Sequence, residues 1–386
     1  MEAIVCDISA FRYWRVPPIV RLLAAGPIDD PLLQSLISDK DLVGFRRACS
    51  SLPLAREFCS EGARWRNAGT ESRAIREASD VLAVGIEAPV DVLVTRHEQS
   101  RRATLVRPRF WRSGVPESCV TRISDGVGVV GPAQALLQIA SRASPVQTVL
   151  LATELCGTFS VYDAPECVRE VLQTLIEGQR LPRLDGWWPC LDEKGQLTNL
   201  WTRRPLVSKQ GLIRAGESAS GRRGRTRLLR AAELVVPGAA SPFEAQAGVI
   251  LGFSRRLGGE GHAGFVHNRR IVLSREARAL ARRASCYCDL YWDEGLDLEC
   301  QSKLSHATGE GYLSDADRAA ALELMGVTVL PATYAQLTTE ERVEALSKLV
   351  AEKRGIAWRP KTEREREAGR RLRGEVLRSW DTLLDV

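Results

Sequence analysis

The chain has 386 residues, of which 44% are hydrophobic and 26% are charged, and its formal net charge is +6. This composition is typical of a globular protein and excludes a wholly disordered or collagen-like chain. The length is roughly two to three times that of a common domain, so more than one domain is expected. No uncharged segment approaches the ~20 apolar residues of a membrane span. The first residues lack the pattern of a signal peptide, which predicts a cytoplasmic protein.

The first half of the chain combines short helices with short strands. Helical patterns that start with Pro or Asp, as at Pro18 and Asp30, predict a helical region over residues 1–60. An α+β region is predicted over residues 61–215. Its expected elements are strands at 90–94 and 127–130 and helices at 132–142 and 164–177.

The positive charge is concentrated near the middle of the chain. Residues 201–230 contain nine basic residues and one acidic residue, so the rest of the chain is slightly acidic. Glycines and serines at 216–221 predict a flexible connector, and a short basic helix is predicted from Arg225 to Leu234. We therefore place a domain boundary near residue 216 and assign 216–240 to a basic linker and helix.

The pattern becomes clearer after this boundary. Ser241 is expected to cap a helix that has Pro242 at its first position and Glu244 completing a capping box. The elements predicted from there on are a helix to about residue 257, a hairpin or bent strand around 268, strands at 285–292 and 296–303, a helix at 314–326, a strand at 327–330 and C-terminal helices within 336–386.

Strand alternation is expected to bring two acidic side chains together. On the paired strands, Asp289 lies on the face that also carries Glu299 and Gln301. The register places Asp289 beside Glu299 or Gln301, with Cys288 and Cys300 on the core side. Two carboxylates with an amide or lysine and a backbone carbonyl form an oxygen-rich site suited to Mg²⁺.

Several segments of this half, in this order, resemble a known family. They are Arg222-Arg223-Gly224-Arg225-Thr226-Arg227, Ser241-Pro242-x-Glu244, Cys288-Asp289-Leu290-Tyr291-Trp292, Leu298-Glu299-Cys300-Gln301 with His306 downstream, Asp315-x-x-Arg318 and Gly326-Val327-Thr328-Val329-Leu330. They are similar to the domain related to very-short-patch-repair endonucleases, in the PD-(D/E)XK nuclease superfamily. The resemblance covers about 220–335 and implies an α/β, restriction-endonuclease-like αβββαβ core over 241–335.

The resemblance also implies site residues and a cofactor. In such enzymes the Glu of the first helix, the strand Asp and a Glu-x-Lys pair hold Mg²⁺, or Mn²⁺, and activate a water for phosphodiester hydrolysis. The matching catalytic positions are Glu244, Asp289, Glu299 and Gln301, with Asp289 and Glu299 as metal ligands. Gln301 cannot carry charge, and Lys303 could instead stabilise the developing phosphorane charge.

Basic residues near this core are candidates for binding DNA. They are Arg222, Arg223, Arg225, Arg227, Arg230, His306 and Arg318. A solvated helix face is the alternative for the arginines at 222–230, and a polar loop position is the alternative for His306. Arg318 could bind phosphate or pair with Asp315 or Glu244. Glu244 could act only as a cap.

A second resemblance covers the first half of the chain. It rests on Ser9-Ala10-Phe11-Arg12-Tyr13-Trp14-Arg15-Val16-Pro17, Val94-Thr95-Arg96-His97 and Asp125-Gly126-Val127-Gly128-Val129-Val130-Gly131-Pro132-Ala133-Gln134-Ala135-Leu136-Leu137. These segments are similar to the AbiEi-type antitoxin and regulator family of bacterial type IV toxin–antitoxin systems.

The two resemblances together imply a Mg²⁺-dependent DNA endonuclease, or a nuclease-derived DNA-binding protein, fused to an AbiEi-like half. The alternative is a non-catalytic transcriptional regulator or antitoxin, whose nuclease fold binds nucleic acid or a partner toxin. A protein interaction module with no nucleic-acid role is a third option.

Overall fold

The structure is a computed structural model that describes residues 3–60, 70–96, 105–112, 114–301 and 309–386. Within these ranges the protein is a mixed α/β structure with three sheets. None of the helices in the described ranges is long and apolar enough to cross a membrane.

A five-stranded sheet organises the first half of the chain. Its strands are β1 (Ala3–Val5), β2 (Val90–Val94), β3 (Val106–Phe110), β4 (Val120–Ser124) and β5 (Val127–Val130). They lie in the order β3-β2-β1-β5-β4, with β1 parallel to β5 and antiparallel to β2. The strands predicted at 90–94 and 127–130 are therefore both present.

Nine helices accompany this sheet in the described ranges. They are α1 (Asp7–Arg15), α2 (Pro18–Ala25), α3 (Pro31–Leu36), α4 (Asp39–Cys49), α5 (Pro53–Ser60), α6 (Thr70–Glu77), α7 (Ser79–Ala83), α8 (Pro132–Ile139) and α9 (Pro145–Cys156). The helices predicted before residue 60 are present. Because β1 precedes them and pairs with β2 and β5, however, the sheet crosses the boundary expected at residue 60.

A small antiparallel sheet follows. It contains β6 (Phe159–Val161), β7 (Trp188–Leu191) and β8 (Leu197–Thr202) in the order β6-β8-β7. Between β6 and β7 lies α10 (Glu166–Glu177), close to the helix predicted at 164–177. Buried residues of α10 and β8 form a second hydrophobic cluster together with α2 and α4.

The segment expected as a flexible connector, 216–221, is partly helical. Helix α11 (Lys209–Ser218) includes Gly216, and the predicted basic helix is present as α12 (Arg225–Leu234). Gly216 is buried, and a Cβ there would lie 2.6 Å from a side-chain carbon of Leu229. The glycine therefore allows α11 and α12 to pack closely, and a boundary at 216 would cut a packed helix.

The C-terminal half contains a four-stranded sheet between helices. Its elements are α13 (Pro242–Gly252), β9 (Val266–Val272), α14 (Arg275–Ala281), β10 (Ser285–Trp292), β11 (Leu296–Gln301), α15 (Gly309–Glu323), β12 (Thr328–Thr333), α16 (Tyr334–Thr338), α17 (Glu340–Lys353) and α18 (Glu363–Val376). The strand order is β12-β11-β10-β9, with β11 and β12 parallel and the other neighbours antiparallel. The predicted sequence of helix, three strands, helix and strand is present, with α14 inserted between β9 and β10.

Three predicted bounds in this half were wrong. The first helix ends at Gly252, and residues Arg255–Leu257 form a separate 3-10 turn. Helix α15 begins at Gly309, before the expected start at Ser314. Strand β12 runs on to Thr333, because it pairs with the whole length of β11.

One hydrophobic core joins the two halves. It contains buried residues from Ala3 to Leu384. The Trp380 ring packs 5.4 Å from the Phe159 ring, and its indole N–H donates to Glu154 at 2.7 Å. Arg15 donates two hydrogen bonds to the same carboxylate, at 2.8 and 2.6 Å. The chain end is therefore fixed to the first half by a buried polar network.

Candidate acidic site between α13 and the C-terminal sheet

The pairing of β9 with β10 is interrupted at Asn268 and Asp289. Paired residues run from Ser285 to Cys288 and resume at Leu290, and Asn268 has a left-handed φ of 52°. Cys288 packs in the cluster formed with α14 and α15, whereas Leu290 packs in the main core. The alternation of faces along β10 therefore breaks at Asp289.

This break corrects the expected faces. Cys288 lies in the α14 and α15 cluster, while Cys300 of β11 packs against the main core. The prediction that both cysteines face one core side was therefore wrong. Strict alternation cannot anticipate a left-handed residue in the neighbouring strand.

Two side chains of β9 form hydrogen bonds around the interruption in the β9–β10 pairing. The ring Nδ1 of His267 lies 3.1 Å from the carbonyl oxygen of Asp289, to which the Nδ1–H tautomer donates. Burial lowers the pKa of His267 to about 4, so the ring is neutral at pH 7. The Asn268 amide donates to the Gly238 carbonyl at 2.8 Å and to Glu244 Oε2 at 2.9 Å. Asn268 thus connects the strand break to α13.

Glu244 lies buried in the first turn of α13. The Ser241 hydroxyl accepts from the Glu244 N–H at 3.1 Å, as expected for a cap. The Glu244 carboxylate accepts from the Ser241 hydroxyl at 2.9 Å and from the Ala240 N–H at 2.8 Å, one residue before the amide that a capping box uses. Burial raises the pKa of Glu244 despite these bonds, and Glu299 raises it further.

Asp289 lies between the helix and the next strand. Its Oδ2 accepts a hydrogen bond from the Cys300 N–H at 2.8 Å, which fixes the carboxylate against β11. Burial raises its pKa well above the usual range, and the negative charges of Glu244 and Glu299 raise it further. The structure thus brings the predicted Glu244, Asp289 and Glu299 into electrostatic contact.

Glu299 is held by an arginine from α15. Arg318 Nη2 lies 2.7 Å from Glu299 Oε2 and also donates to the Tyr287 carbonyl. Of the partners expected for Arg318, Glu244 is not the one it pairs with among the described residues, and the Asp315 side chain lies outside them; the pair observed is with Glu299. The Glu299 side chain stays 25% exposed, so it lies at the solvent edge of the acidic group.

Sequence reasoning missed a fourth carboxylate, Asp297. It is fully buried, and neither of its oxygens accepts a hydrogen bond of ordinary geometry from the described residues. Arg318 Nη2 lies 3.9 Å from its Oδ2. Burial raises the pKa of Asp297, and Glu299 raises it further. The signal was present, because Asp297 precedes Glu299 by two residues and alternation puts both on one face.

Arg318 pairs with Glu299 and lies near Asp297, so a single arginine faces two of the four carboxylates described above. We call Glu244, Asp289, Asp297 and Glu299 the acidic cluster. Gln301, at the end of β11, is half-buried and adds no charge. The predicted Lys303 and His306 lie outside the described residues. Across the described ranges, no group of three or more His, Cys, Asp or Glu side chains is arranged to hold a metal ion.

The predicted DNA-binding arginines have different surroundings. Arg227 donates to the Ala140 and Ala143 carbonyls at 2.7 and 2.6 Å, where it satisfies the end of α8. Arg230 forms an exposed pair with Glu233 at 2.7 Å. Arg222 lies over the Trp111 ring, 5.0 Å from its centroid. Of the remaining three, Arg223 is exposed, Arg225 is half-buried, and Arg318 pairs with Glu299 as described above.

The acidic cluster provides hard oxygen donors. The positive charge next to it is too small to neutralise all of its carboxylates. Such a group must retain protons at neutral pH or take up a cation. No protein-family profile matches the chain, and no curated protein or solved structure is significantly similar to it. The two family resemblances therefore remain expectations that rest on their motifs.

Proposed function

We propose that the protein is a Mg²⁺-dependent DNA endonuclease whose C-terminal sheet and helices form a restriction-endonuclease-like core. The observation that carries this proposal is the charge imbalance of the acidic cluster. Burial together with Glu244 and Glu299 raises the pKa of Asp289. A divalent cation held by Asp289 and Glu299 would relieve this repulsion and take the place of the proton.

The donor set fits a site with two protein ligands. Mg²⁺ is commonly held by one or two carboxylates, with waters and substrate phosphates completing the shell. Asp289 and Glu299 each use one oxygen for a described partner, the Cys300 N–H and Arg318. Their other oxygens are the proposed ligand atoms. A two-ligand site does not need the group of three or more ligating side chains that the described residues lack.

The chain's own residues would prepare the site for phosphodiester hydrolysis. The bound cation would supply charge stabilisation and a water of lowered pKa. The Cys300 N–H orients Asp289, Arg318 orients Glu299, and Glu244 raises the negative potential behind them. Gln301 is placed at the end of β11, and Lys303 is the proposed cationic side chain.

The proposed DNA contacts are three arginines that, within the described residues, neither bond a carbonyl as Arg227 does nor pair with a carboxylate as Arg230 does. Arg222, Arg223 and Arg225 precede or begin α12. Phosphate contacts of this kind supply affinity that depends strongly on salt. We expect two or three contacts to give a slope of about −2 to −3 for log affinity against log salt.

A plasmid assay tests the proposed activity. Supercoiled plasmid is incubated with wild type, Asp289→Asn and Glu299→Gln in Mg²⁺, in Mn²⁺ and in EDTA. We expect nicking only by wild type and only with a divalent cation. Glu363→Gln, an exposed carboxylate on α18, serves as the matched control and should cut like wild type. Equal nicking by all variants, or none by wild type, would reject the catalytic proposal.

The second candidate is a non-catalytic DNA-binding regulator or antitoxin with a partner toxin. Two observations favour it: Arg318 already neutralises Glu299, and Gln301 carries no charge. In that case wild type binds DNA equally in Mg²⁺ and in EDTA and does not cut. The same plasmid experiment, read by mobility shift as well as by nicking, separates the two candidates.

A further inference from the structure

A cavity lined by several arginines lies away from the acidic cluster, where β3, the end of α8 and the segment before α12 meet. Its volume is about 440 Å³, and no residue of the acidic cluster lines it. Five arginines and one aspartate face it, together with the neighbouring aromatics of β3 and its end. The residues used below are Arg109, Arg112, Arg142, Arg222, Arg223 and Trp111. This cavity falls within the roughly 300–1,000 Å³ of small-molecule sites.

Two of these arginines are fixed in place from behind. Arg142 donates to both carboxylate oxygens of Asp7, at 2.9 and 2.6 Å. Arg109 Nε lies 2.7 Å from Asp91 Oδ1 and 3.6 Å from Asp7 Oδ2. Each guanidinium has five N–H donors, so both retain donors beyond those pairs. Positioned arginines lose little entropy when they bind an anion.

The other three arginines add charge that no acid in the lining offsets. Arg112 and Arg223 are exposed, and Arg222 lies over the Trp111 ring. Asp7 is the only acidic residue of the described lining, and Arg142 already pairs with it. The cavity therefore carries a surplus of positive charge and is suited to an anion with more than one negative charge.

The aromatic side selects among anions. The Trp111 ring is half-buried and lines the cavity, with the Arg222 guanidinium 5.0 Å from its centroid. Arginine and aromatic planes of this kind stack on nucleic-acid bases. Inorganic phosphate would use only the arginines, whereas a nucleotide would use both sides.

We propose that this cavity binds a nucleoside phosphate, with its phosphate on Arg142, Arg222 and Arg223 and its base beside Trp111. The ligand is either a free nucleotide or the phosphorylated end of a DNA strand, since both present the same groups. This proposal shares Arg222 and Arg223 with the proposed DNA contacts, but it involves neither the acidic cluster nor a cation, so it can hold or fail independently of the endonuclease activity.

Calorimetry in EDTA and low salt tests the site on the full chain. The probes are dAMP, deoxyadenosine, inorganic phosphate and a 5′-phosphorylated tetradeoxyadenylate. We expect dAMP to bind at least ~10-fold more tightly than deoxyadenosine or phosphate, because it uses both sides of the cavity. Similar affinities for dAMP and the tetranucleotide indicate a free nucleotide, whereas tighter binding of the tetranucleotide indicates a strand end.

Variants decide whether binding occurs in this cavity. Arg222→Ala/Arg223→Ala should weaken dAMP binding at least ~10-fold, because it removes two charged hydrogen-bond donors from the phosphate. Trp111→Leu should weaken binding of dAMP but not of phosphate. The control Arg364→Ala/Arg371→Ala removes the same charge from exposed positions of α18 and should bind normally. Equal losses in both double variants, or no dAMP binding by wild type at 1 mM ligand, would overturn the proposal.

Discussion

Two groups of buried carboxylates in this protein are neutralised to different extents. In the first half, Asp91 is fully buried and lies 2.6 Å from Arg107 and 2.7 Å from Arg109. In the second half, Arg318 lies 2.7 Å from Glu299 and 3.9 Å from Asp297, and no other basic side chain of the described residues pairs with the acidic cluster. A buried charge is retained only when it is paired. The negative charge of the first group is therefore neutralised within the folded protein, and we call this group complete. The second group needs a further positive charge, and we call it incomplete.

The largest expected effect comes from breaking the complete group. Asp91→Asn removes the charge that both arginines share, and we expect it to lower the free energy of unfolding by about 3 kcal/mol. Asp163→Asn is the control, because Asp163 is 81% exposed and pairs with Arg169 at 3.2 Å. That control should cost under about 0.5 kcal/mol. Urea unfolding measures both, and equal costs would remove the distinction between the groups.

Adding the missing cation should stabilise the incomplete group. At a free Mg²⁺ concentration ten times the dissociation constant, the free energy of unfolding should rise by about 1.4 kcal/mol. Asp289→Asn should abolish this gain because it removes a proposed ligand. Urea titrations with and without Mg²⁺ measure the difference. An equal increase in the free energy of unfolding in wild type and in Asp289→Asn would show that Mg²⁺ binds at a site other than the acidic cluster.

Replacing the Asp289 carboxyl with an amide should stabilise the metal-free protein at a pH above the ordinary carboxyl pKa. Burial and its acidic neighbours raise the pKa of Asp289 above its ordinary value of 3.8. The folded state therefore binds this proton more tightly than the unfolded state, and stability falls as pH rises from about 4 through the raised value. In EDTA at pH 8, Asp289→Asn should be more stable than wild type by about 1 kcal/mol.

Lowering the pH should close that gap. Near pH 4 the wild-type carboxyl is protonated in the folded state and partly protonated in the unfolded state, so wild type and Asp289→Asn should be nearly equal. Thermal or urea unfolding from pH 4 to 8 measures the trend. A variant that is less stable than wild type at every pH would show that the Asp289 charge is already compensated.

The smallest expected effect lies on the basic surface of α12. Arg230 and Glu233 form a pair in which both side chains are more than half exposed, at 58% and 63%. Arg230→Ala should change the free energy of unfolding by under about 0.5 kcal/mol.

Arg227→Ala should cost more, about 1–2 kcal/mol, since it leaves carbonyls at the end of α8 without a donor. Equal changes in the free energy of unfolding for the two variants would show that the Arg227 hydrogen bonds contribute no more than the exposed Arg230–Glu233 pair.

Local sequence patterns predicted the elements of the second half well. The bounds of α12 and β10 are those expected from the sequence, because glycine breaks and apolar periodicity act within each segment. Bringing Asp289 and Glu299 together needed only the register of a hairpin with a tight turn. These are short-range rules, and the described structure follows them.

Features set by long-range packing could not be predicted. Gly216 has the composition signal of a linker but lies in a helix, because its missing side chain makes room for Leu229. The break at Asp289 depends on Asn268, which sits in the left-handed region and bonds to Glu244. The arginine-lined cavity joins residues from separate parts of the chain, such as Arg109 and Arg223. No local pattern encodes these contacts.

The central proposal is that a divalent cation completes the acidic cluster. Titrating Mg²⁺ or Mn²⁺ into metal-free protein by calorimetry, at pH 7 in two buffers of different ionisation enthalpy, measures both cation binding and proton release. We expect one site in wild type, release of protons on binding because the pKa of Asp289 is raised, and loss of the site in Asp289→Asn and Glu299→Gln. Binding that releases no proton and persists in both variants, or no binding at millimolar cation, would contradict the proposal.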